Sequence, residues 1–357
     1  MGLSGRLAAY AVSGAHVLVV EVPGWWETRA AVERALTARG WRTALSPADA
    51  DVIVVCGDPG EQLSAVVDRV WEQLPGPRAR ATALHTDEVG AALDETALAL
   101  RDDQHQRRDA GDRAREPAGG ADRGDMDHGD MEMAPGGIPL ASGGEDRDGL
   151  EMDVLHVPLG PVLPHWPAGL VLRCSLQGDV VTEAQVEVLG PAAPSPALSA
   201  PADERRAARR CDGAARLLAI AGWDDAAAAA RRTRDVLLDG GDRDDAARQL
   251  DRLASRVTRS LTLRWMLRGL GCVDGAAVAA RGLPESARGD VHDRLVAMLR
   301  QSRADLRGEA TADEDRAAAT RAALPTLVRG LDVAAARLIV ASFDPDTVGV
   351  RREAVRA

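Results

Sequence analysis

The chain has 357 residues, and 45% of them are hydrophobic, which suits two globular domains better than one. Its formal net charge is −11 and its pI is near 5.2, which argues against nucleic acid or an anionic membrane surface as the main partner.

The cysteines are few and scattered, at Cys56, Cys174, Cys211 and Cys272. No two of them form a C-x-x-C pair, so the sequence predicts neither a disulfide framework nor a local zinc site. No apolar run reaches about 18 residues, so we expect no membrane insertion. These features predict a cytoplasmic protein, compatible with a peripheral position on the cytoplasmic side of the inner membrane.

Residues 1–100 form the first predicted domain, in which strand and helix patterns alternate. The apolar runs HVLVVEV (16–22) and ADVIVVCG (50–57) are typical of strands covered on both faces. Helical stripes follow each of them, and a third strand and helix occupy 79–100. The pattern predicts an α/β domain with a small, mostly parallel, flavodoxin-like sheet.

Residues 101–149 are charged, rich in glycine and poor in apolar residues. Such a segment cannot bury enough surface to offset its chain entropy, so we expect a disordered linker. Its tract MDHGDMEM contains Met126, His128, Met131 and Met133. Thioethers with an imidazole can bind Cu(I), and the alternative is a solvated linker with methionines placed by chance.

Residues 150–357 form the second predicted domain. Three strand patterns, MDVLHVPLG, GLVLRCSLQ and DVVTEAQVEVLG, precede a run of helices. The helices are predicted at 203–221, 224–238, 243–269, 289–305, 312–330 and 332–343, because apolar residues recur there at steps of three and four. The domain is therefore predicted to be α+β, with a small antiparallel sheet and a helical bundle.

Two loops offer candidate binding residues. Trp25 and Trp26 follow the first strand, at the edge of an α/β sheet where ligands bind, and they are compatible with a pocket, a protein interface or simple packing. His165 lies in a proline-flanked loop beside a tryptophan, where the alternatives are a binding role and packing. No catalytic arrangement follows from the spacing of the remaining histidines, serines and acids.

The stretch from Ser46 to Leu84 resembles the B subunit of NADH-quinone oxidoreductase (complex I) and, more loosely, the small subunits of nickel–iron hydrogenases. The matching residues, in order, are Ser46, Pro47, Ala50, Asp51, Val52, Gly57, Val66, Val70, Gln73, Pro75, Pro77 and Arg78. The resemblance implies an iron–sulfur protein. However, the places where these subunits carry cluster cysteines read PGWWE and ALHTDE here, so we expect no cluster.

The second domain resembles the D subunit of complex I and hydrogenase large subunits. Gly160, Pro161, Gly169 and Arg173 fall near the family's opening motif, and SFDPD (342–346) lies where large subunits end in Ser-Phe-Asp-Pro-Cys. Asp346 and Gly349 replace the terminal cysteines, so we expect no nickel–iron centre. The resemblance implies a quinone site with a loop histidine, for which His165 is the candidate, and a tyrosine, but Tyr10 belongs to the other domain.

These observations predict a subunit without metal cofactors, in a structural or assembly role within a membrane oxidoreductase or antiporter-like complex. One alternative is an active subunit that binds quinone between the domains, near His165, Trp25 and Trp26. A second alternative is a metal-handling accessory protein that uses the methionines and histidine of the linker.

Overall fold

The fold is described from a computed structural model, which covers residues 12–115, 142–145, 151–195, 201–309 and 317–348. The chain forms two compact units. The first comprises Met1–Pro164, Ser175–Gly178 and Leu189–Ser195, and the second comprises His165–Cys174, Asp179–Val188 and Pro196–Ala357. Within the described ranges, every helix is too short or too polar to cross a bilayer.

A four-stranded parallel sheet forms the centre of the first unit, as the sequence predicts. Its strands lie in the order β2-β1-β3-β4, and neighbours along the chain are joined by helices. The elements in chain order are β1 (His16–Glu21), α1 (Trp26–Arg39), β2 (Arg42–Thr43), β3 (Val52–Cys56), α2 (Glu61–Glu72), β4 (Ala79–Ala83) and α3 (Val89–Arg101). The two-residue strand β2 was not predicted.

The core of this unit follows from the strand sequences. Every residue of the central strand β3, VIVVC, is buried, because neighbouring strands pair with both of its edges and helices pack on the sheet. Leu63 and Val67 of α2 are also buried, which matches part of the predicted helical stripe. The continuous apolar run therefore indicates a strand that is covered on both faces.

A further helix, α4 (Asp103–Arg115), occupies the first part of the predicted disordered linker. None of its residues is fully buried, and its polar contacts include several with Arg78 and one from the Gln106 side chain to the carbonyl of Ala99 at 2.9 Å. Asp109 accepts two hydrogen bonds from the Arg78 guanidinium, both 3.1 Å long. The side chain of Gln106 accepts from the backbone N–H of Arg78 at 2.9 Å and donates to its carbonyl at 3.0 Å. Composition could not predict this helix, because its stabilising partner is distant in sequence.

The second sheet is antiparallel, with its strands in the order β5-β6-β7-β8. The strands are β5 (Ser142–Glu145), β6 (Glu151–Leu159), β7 (Leu170–Gln177) and β8 (Val180–Val188). The three longer strands correspond to the three predicted ones, and a turn at Gly178, with φ of 62°, joins the last two. The short β5 lies in the predicted linker and was not expected.

Helices make up most of the second unit. They are α5 (Ala202–Ile220), α6 (Asp224–Leu238), α7 (Arg243–Arg259), α8 (Leu261–Leu267), α9 (Gly275–Arg281), α10 (Val291–Leu306), α11 (Ala317–Val328) and α12 (Val333–Phe343). The fold is thus α/β followed by α+β, as the sequence predicts, although α9 is an addition.

The predicted single helix over 243–269 is wrong, because the chain breaks at Ser260 into α7 and α8. Ser260 has φ of −71° and ψ of 104°, which lies outside the helical region. Its hydroxyl accepts a hydrogen bond from the backbone N–H of Leu263 at 3.2 Å and so caps α8. The apolar stripe continues across the break, since Val257 and Leu263 are both buried, so the sequence pattern does not reveal it.

Candidate functional site

Trp25 fills the carboxyl edge of the parallel sheet, where ligands bind in many α/β proteins. Its side chain is buried, and the indole N–H donates to the carbonyl of Leu84 at 3.1 Å. The ring lies so close to Gly57 that a Cβ on Gly57 would come within 2.5 Å of it. Trp25 therefore packs across the ends of β1, β3 and β4.

A backbone segment, residues 190–192, covers the loop that follows β3. The N–H of Gly60 donates to the carbonyl of Gly190 at 3.2 Å, and the N–H of Ala192 donates to the carbonyl of Asp58 at 3.0 Å. These bonds satisfy the backbone N–H of Gly60 and the carbonyl of Asp58, which would otherwise be free to bind a ligand. Trp26, the first residue of α1, is buried as well. Both candidate tryptophans therefore have packed surroundings within the first unit.

His165, the third candidate, lies in the second unit and has an unusual backbone conformation. Its φ is 61°, a left-handed value that is uncommon for residues other than glycine. The next residue, Trp166, is buried and donates its indole N–H to the carbonyl of Leu170 at 2.8 Å. This bond fixes the turn that leads into β7 and with it the position of His165, which is half-buried.

The cysteines do not form a metal site in the described part of the chain. Cys56, Cys174 and Cys211 are buried in three different elements, and Cys272 is exposed. Burial raises the pKa of Cys174 to about 11 and that of Cys211 to about 12, and it also raises the pKa of Cys56. Metals bind the thiolate, so the three buried cysteines are held in the form that binds them poorly.

The other residues proposed as copper ligands, Met126, His128, Met131 and Met133, lie outside the described residues, as does Tyr10. The described part of the chain offers one cluster of three metal-ligating side chains, Asp290, His292 and Asp293. Its two aspartates already form a capping box at the start of α10. The amino end of a helix carries a partial positive charge that repels cations. We therefore assign this cluster to helix capping.

The SFDPD segment borders a cavity of about 270 Å³ in the second unit. Beside it, Arg294 is buried and donates to the Ser342 hydroxyl at 2.8 Å and to the carbonyls of Gly271 and Gly289 at 3.0 and 2.8 Å. The ring of Phe343 lies 4.3 Å from the same guanidinium. Burial lowers the pKa of Arg294 to about 10, because no neighbour offsets the loss of solvent fully.

The two aspartates of the segment have different roles. Asp344 adopts φ of 38°, and its carboxylate lies 3.6 Å from Arg209 and 3.8 Å from Arg216. It sits directly above Gly213, where any Cβ would come within 2.8 Å of the carboxylate. Asp346 accepts the backbone N–H of Val348 at 2.8 Å, and its carbonyl accepts from Arg321. Asp346 thus closes a local turn.

A buried network of charges extends from Asp344 into the helices. Asp212 is paired with Arg234 at 2.7 Å and with Arg216 at 3.1 Å. Both Asp212 and Arg234 have side chains that are 1% exposed, so the two charges are fully desolvated and depend on each other. The sequence analysis missed this network, and its only signal was the helical spacing of Asp212 and Arg216.

No protein-family model matches this chain, and no curated protein is significantly similar to it. The resemblance to complex I and hydrogenase subunits therefore depends on the residues quoted above alone.

Proposed function

We propose that this chain is a structural or assembly subunit of a membrane-associated oxidoreductase or antiporter-like complex, and that it works without an iron–sulfur cluster or a nickel–iron centre. The observation that carries the proposal is the position of Trp25. In the small subunits that this domain resembles, cluster cysteines follow the first and third strands of the motif. Here an indole occupies the edge that those cysteines would share, bonded to Leu84 and packed on Gly57.

The second unit supports the same proposal. The residue in place of a terminal cysteine, Asp346, closes a local turn, and Asp344 is paired with Arg209 and Arg216. These contacts of Asp344 and Asp346 hold the SFDPD segment against the helices. A scaffold that keeps its packing and fills its cofactor positions with side chains can still present a surface to partner subunits.

The alternative of quinone binding at Trp25 and Trp26 has no comparable support. Both side chains are buried, and the indole N–H of Trp25 already has a protein acceptor. A quinone carbonyl would have to break that bond to use the N–H as a donor.

Two measurements on the full chain test the proposal. First, tagged protein purified from membranes of its native host with mild detergent should bring down oxidoreductase or antiporter-like subunits in fixed ratio. Recovery of the chain alone from both membrane and soluble fractions would contradict a subunit role.

Second, purified protein should take up no iron or acid-labile sulfide on anaerobic reconstitution. The variant Cys272→Ser is the matched control, because Cys272 is the exposed cysteine among the four and would hold adventitious iron. Iron and sulfide that persist in Cys272→Ser and disappear in Cys56→Ala would overturn the metal-free assignment.

A further inference from the structure

Helix α8 presents an unusual surface, in which apolar side chains project into solvent between arginines. Leu261 and Trp265 are 81% and 84% exposed, and they lie one helical turn apart on one face. Leu263 and Leu267, on the opposite face, are buried and attach the helix to the unit. The helix is therefore preformed, and its exposed face is not the result of a frayed end.

The chain segment around this face carries only positive side chains, although the Asp290 carboxylate accepts a hydrogen bond from the backbone of Gly269 beyond the end of α8. The segment 252–273 contains five arginines and no acidic residue, in a chain whose net charge is −11. The exposed arginines nearest the apolar pair are Arg259, Arg264 and Arg268. Within the described residues, none of these three has a carboxylate within 4.0 Å, whereas Arg209, Arg210, Arg216 and Arg234 of the same unit are ion-paired.

We propose that the α8 face, defined by Leu261, Arg264 and Trp265 of the helix together with the flanking Arg259 and Arg268, binds directly to the surface of an anionic lipid bilayer. Tryptophan is the residue that favours the headgroup region, because its ring is apolar and its N–H is polar. Arginine flanking such a residue pairs with lipid phosphates while its aliphatic stem stays in the apolar layer. The combination on a single preformed face fits a lipid surface better than a polar partner.

The overall negative charge does not exclude this binding. Electrostatic attraction at physiological ionic strength acts over a screening length of about 8 Å, so attraction to the membrane depends on the charges of the local patch and not on the net charge of the chain. Each arginine near an anionic membrane surface strengthens binding about fivefold, and three of them act together here. The inference stands apart from the proposed function, since it concerns lipid and not a protein complex.

Sedimentation with vesicles tests the proposal on the full chain. We expect binding to vesicles of phosphatidylglycerol and phosphatidylcholine in a ratio of about 3:7, no binding to pure phosphatidylcholine, and release as salt is raised. Trp265→Ala should weaken binding tenfold or more, because it removes the largest side chain of the face. The control Leu98→Ala changes a 67% exposed apolar residue of α3 and should have no effect.

A charge series completes the test. The triple variant R259Q/R264Q/R268Q should weaken binding about a hundredfold, as three fivefold losses multiply. The control R101Q/R107Q/R108Q removes the same charge from exposed arginines of the first unit and should bind as the unaltered chain does.

The proposal is overturned if anionic vesicles do not bind the chain, or if Trp265→Ala binds them equally well. Loss of a cross-linked protein in Trp265→Ala, without vesicle binding by the parent, would assign the face to a protein partner instead.

Discussion

The two units differ in their most deeply buried side chains. In the parallel sheet of the first unit, the central strand β3 is apolar along its whole length and completely buried. In the helical part of the second unit, arginines Arg234 and Arg294 are among the largest fully buried side chains. Apolar burial is non-directional and tolerates small changes of shape, whereas a buried guanidinium needs partners at fixed distances. The first unit also buries Arg29 and Arg78, but the most deeply buried guanidinium groups, those of Arg234 and Arg294, belong to the second.

This difference predicts unequal responses to substitution. Removing one partner of a buried ion pair leaves an uncompensated charge, while removing one partner of an exposed pair costs little.

Asp212→Asn should produce the largest loss, about 3–5 kcal/mol in the free energy of unfolding, because the buried Arg234 and Arg216 both lose their closest carboxylate partner. Urea denaturation followed by circular dichroism measures it. The control is Asp251→Asn, which breaks the exposed pair with Arg303 and should cost less than about 1 kcal/mol. Equal losses in the two variants would show that the buried network is not what stabilises the helices.

Gly57→Ala tests the packing at the edge of the parallel sheet. The substitution combines a positive φ of 109° with a Cβ that would press on the Trp25 ring, so we expect a loss of about 2–4 kcal/mol. Gly178→Ala is the control, because its φ of 62° is also positive but nothing lies within 4 Å. It should cost about 1–2 kcal/mol from backbone strain alone. The extra loss in Gly57→Ala combines the contact with Trp25 and the less favourable φ of 109°, and no difference between the two variants would refute the contact.

Gln106→Ala tests a polar contact of the first unit, in which apolar burial predominates. The variant removes both bonds to the backbone of Arg78, so α4 should lose protection in amide hydrogen exchange, and unfolding should become easier by about 1–3 kcal/mol. Gln104→Ala, at an exposed position on the same helix, should change neither quantity. If both variants retain full protection, α4 is held by something other than Arg78.

Asp290→Ala should have the smallest effect, about 1 kcal/mol at neutral pH, because it removes the cap of α10. Burial opposes ionisation of Asp290, but hydrogen bonds from the backbone N–H groups of Gly269 and Asp293 outweigh it and lower its pKa.

The sign of the pH effect follows from that shift. A carboxyl group with a lowered pKa in the folded state stabilises the fold above its unfolded pKa, near 4, and this contribution is lost as pH falls through the folded value. The stability difference between parent and variant should therefore shrink below about pH 4. Asp87→Ala, at an exposed site, should show no such trend. A difference that stays constant down to pH 2 would contradict the assignment.

Much of the fold was determined by sequence pattern. The apolar runs at 16–22 and 50–57 specify buried strands, because a strand covered on both faces has no polar side, and they became β1 and β3. The three strands of the second sheet and most of its helices follow from periodicity in the same way. The candidate site was less predictable. Trp25 stood out as a large aromatic residue in a loop, but its bond to Leu84 joins residues 59 apart in sequence.

The tertiary structure alone decided the rest, and in each case the reason is a contact between residues far apart in the chain. Helix α4 forms within a segment of disordered composition because Arg78 gives it partners. Residues Asp212, Arg234 and Asp344 form one network although each is, by itself, an ordinary surface residue type. Local propensity depends on neighbouring residues, whereas a buried charge is stable only where a partner from another helix meets it.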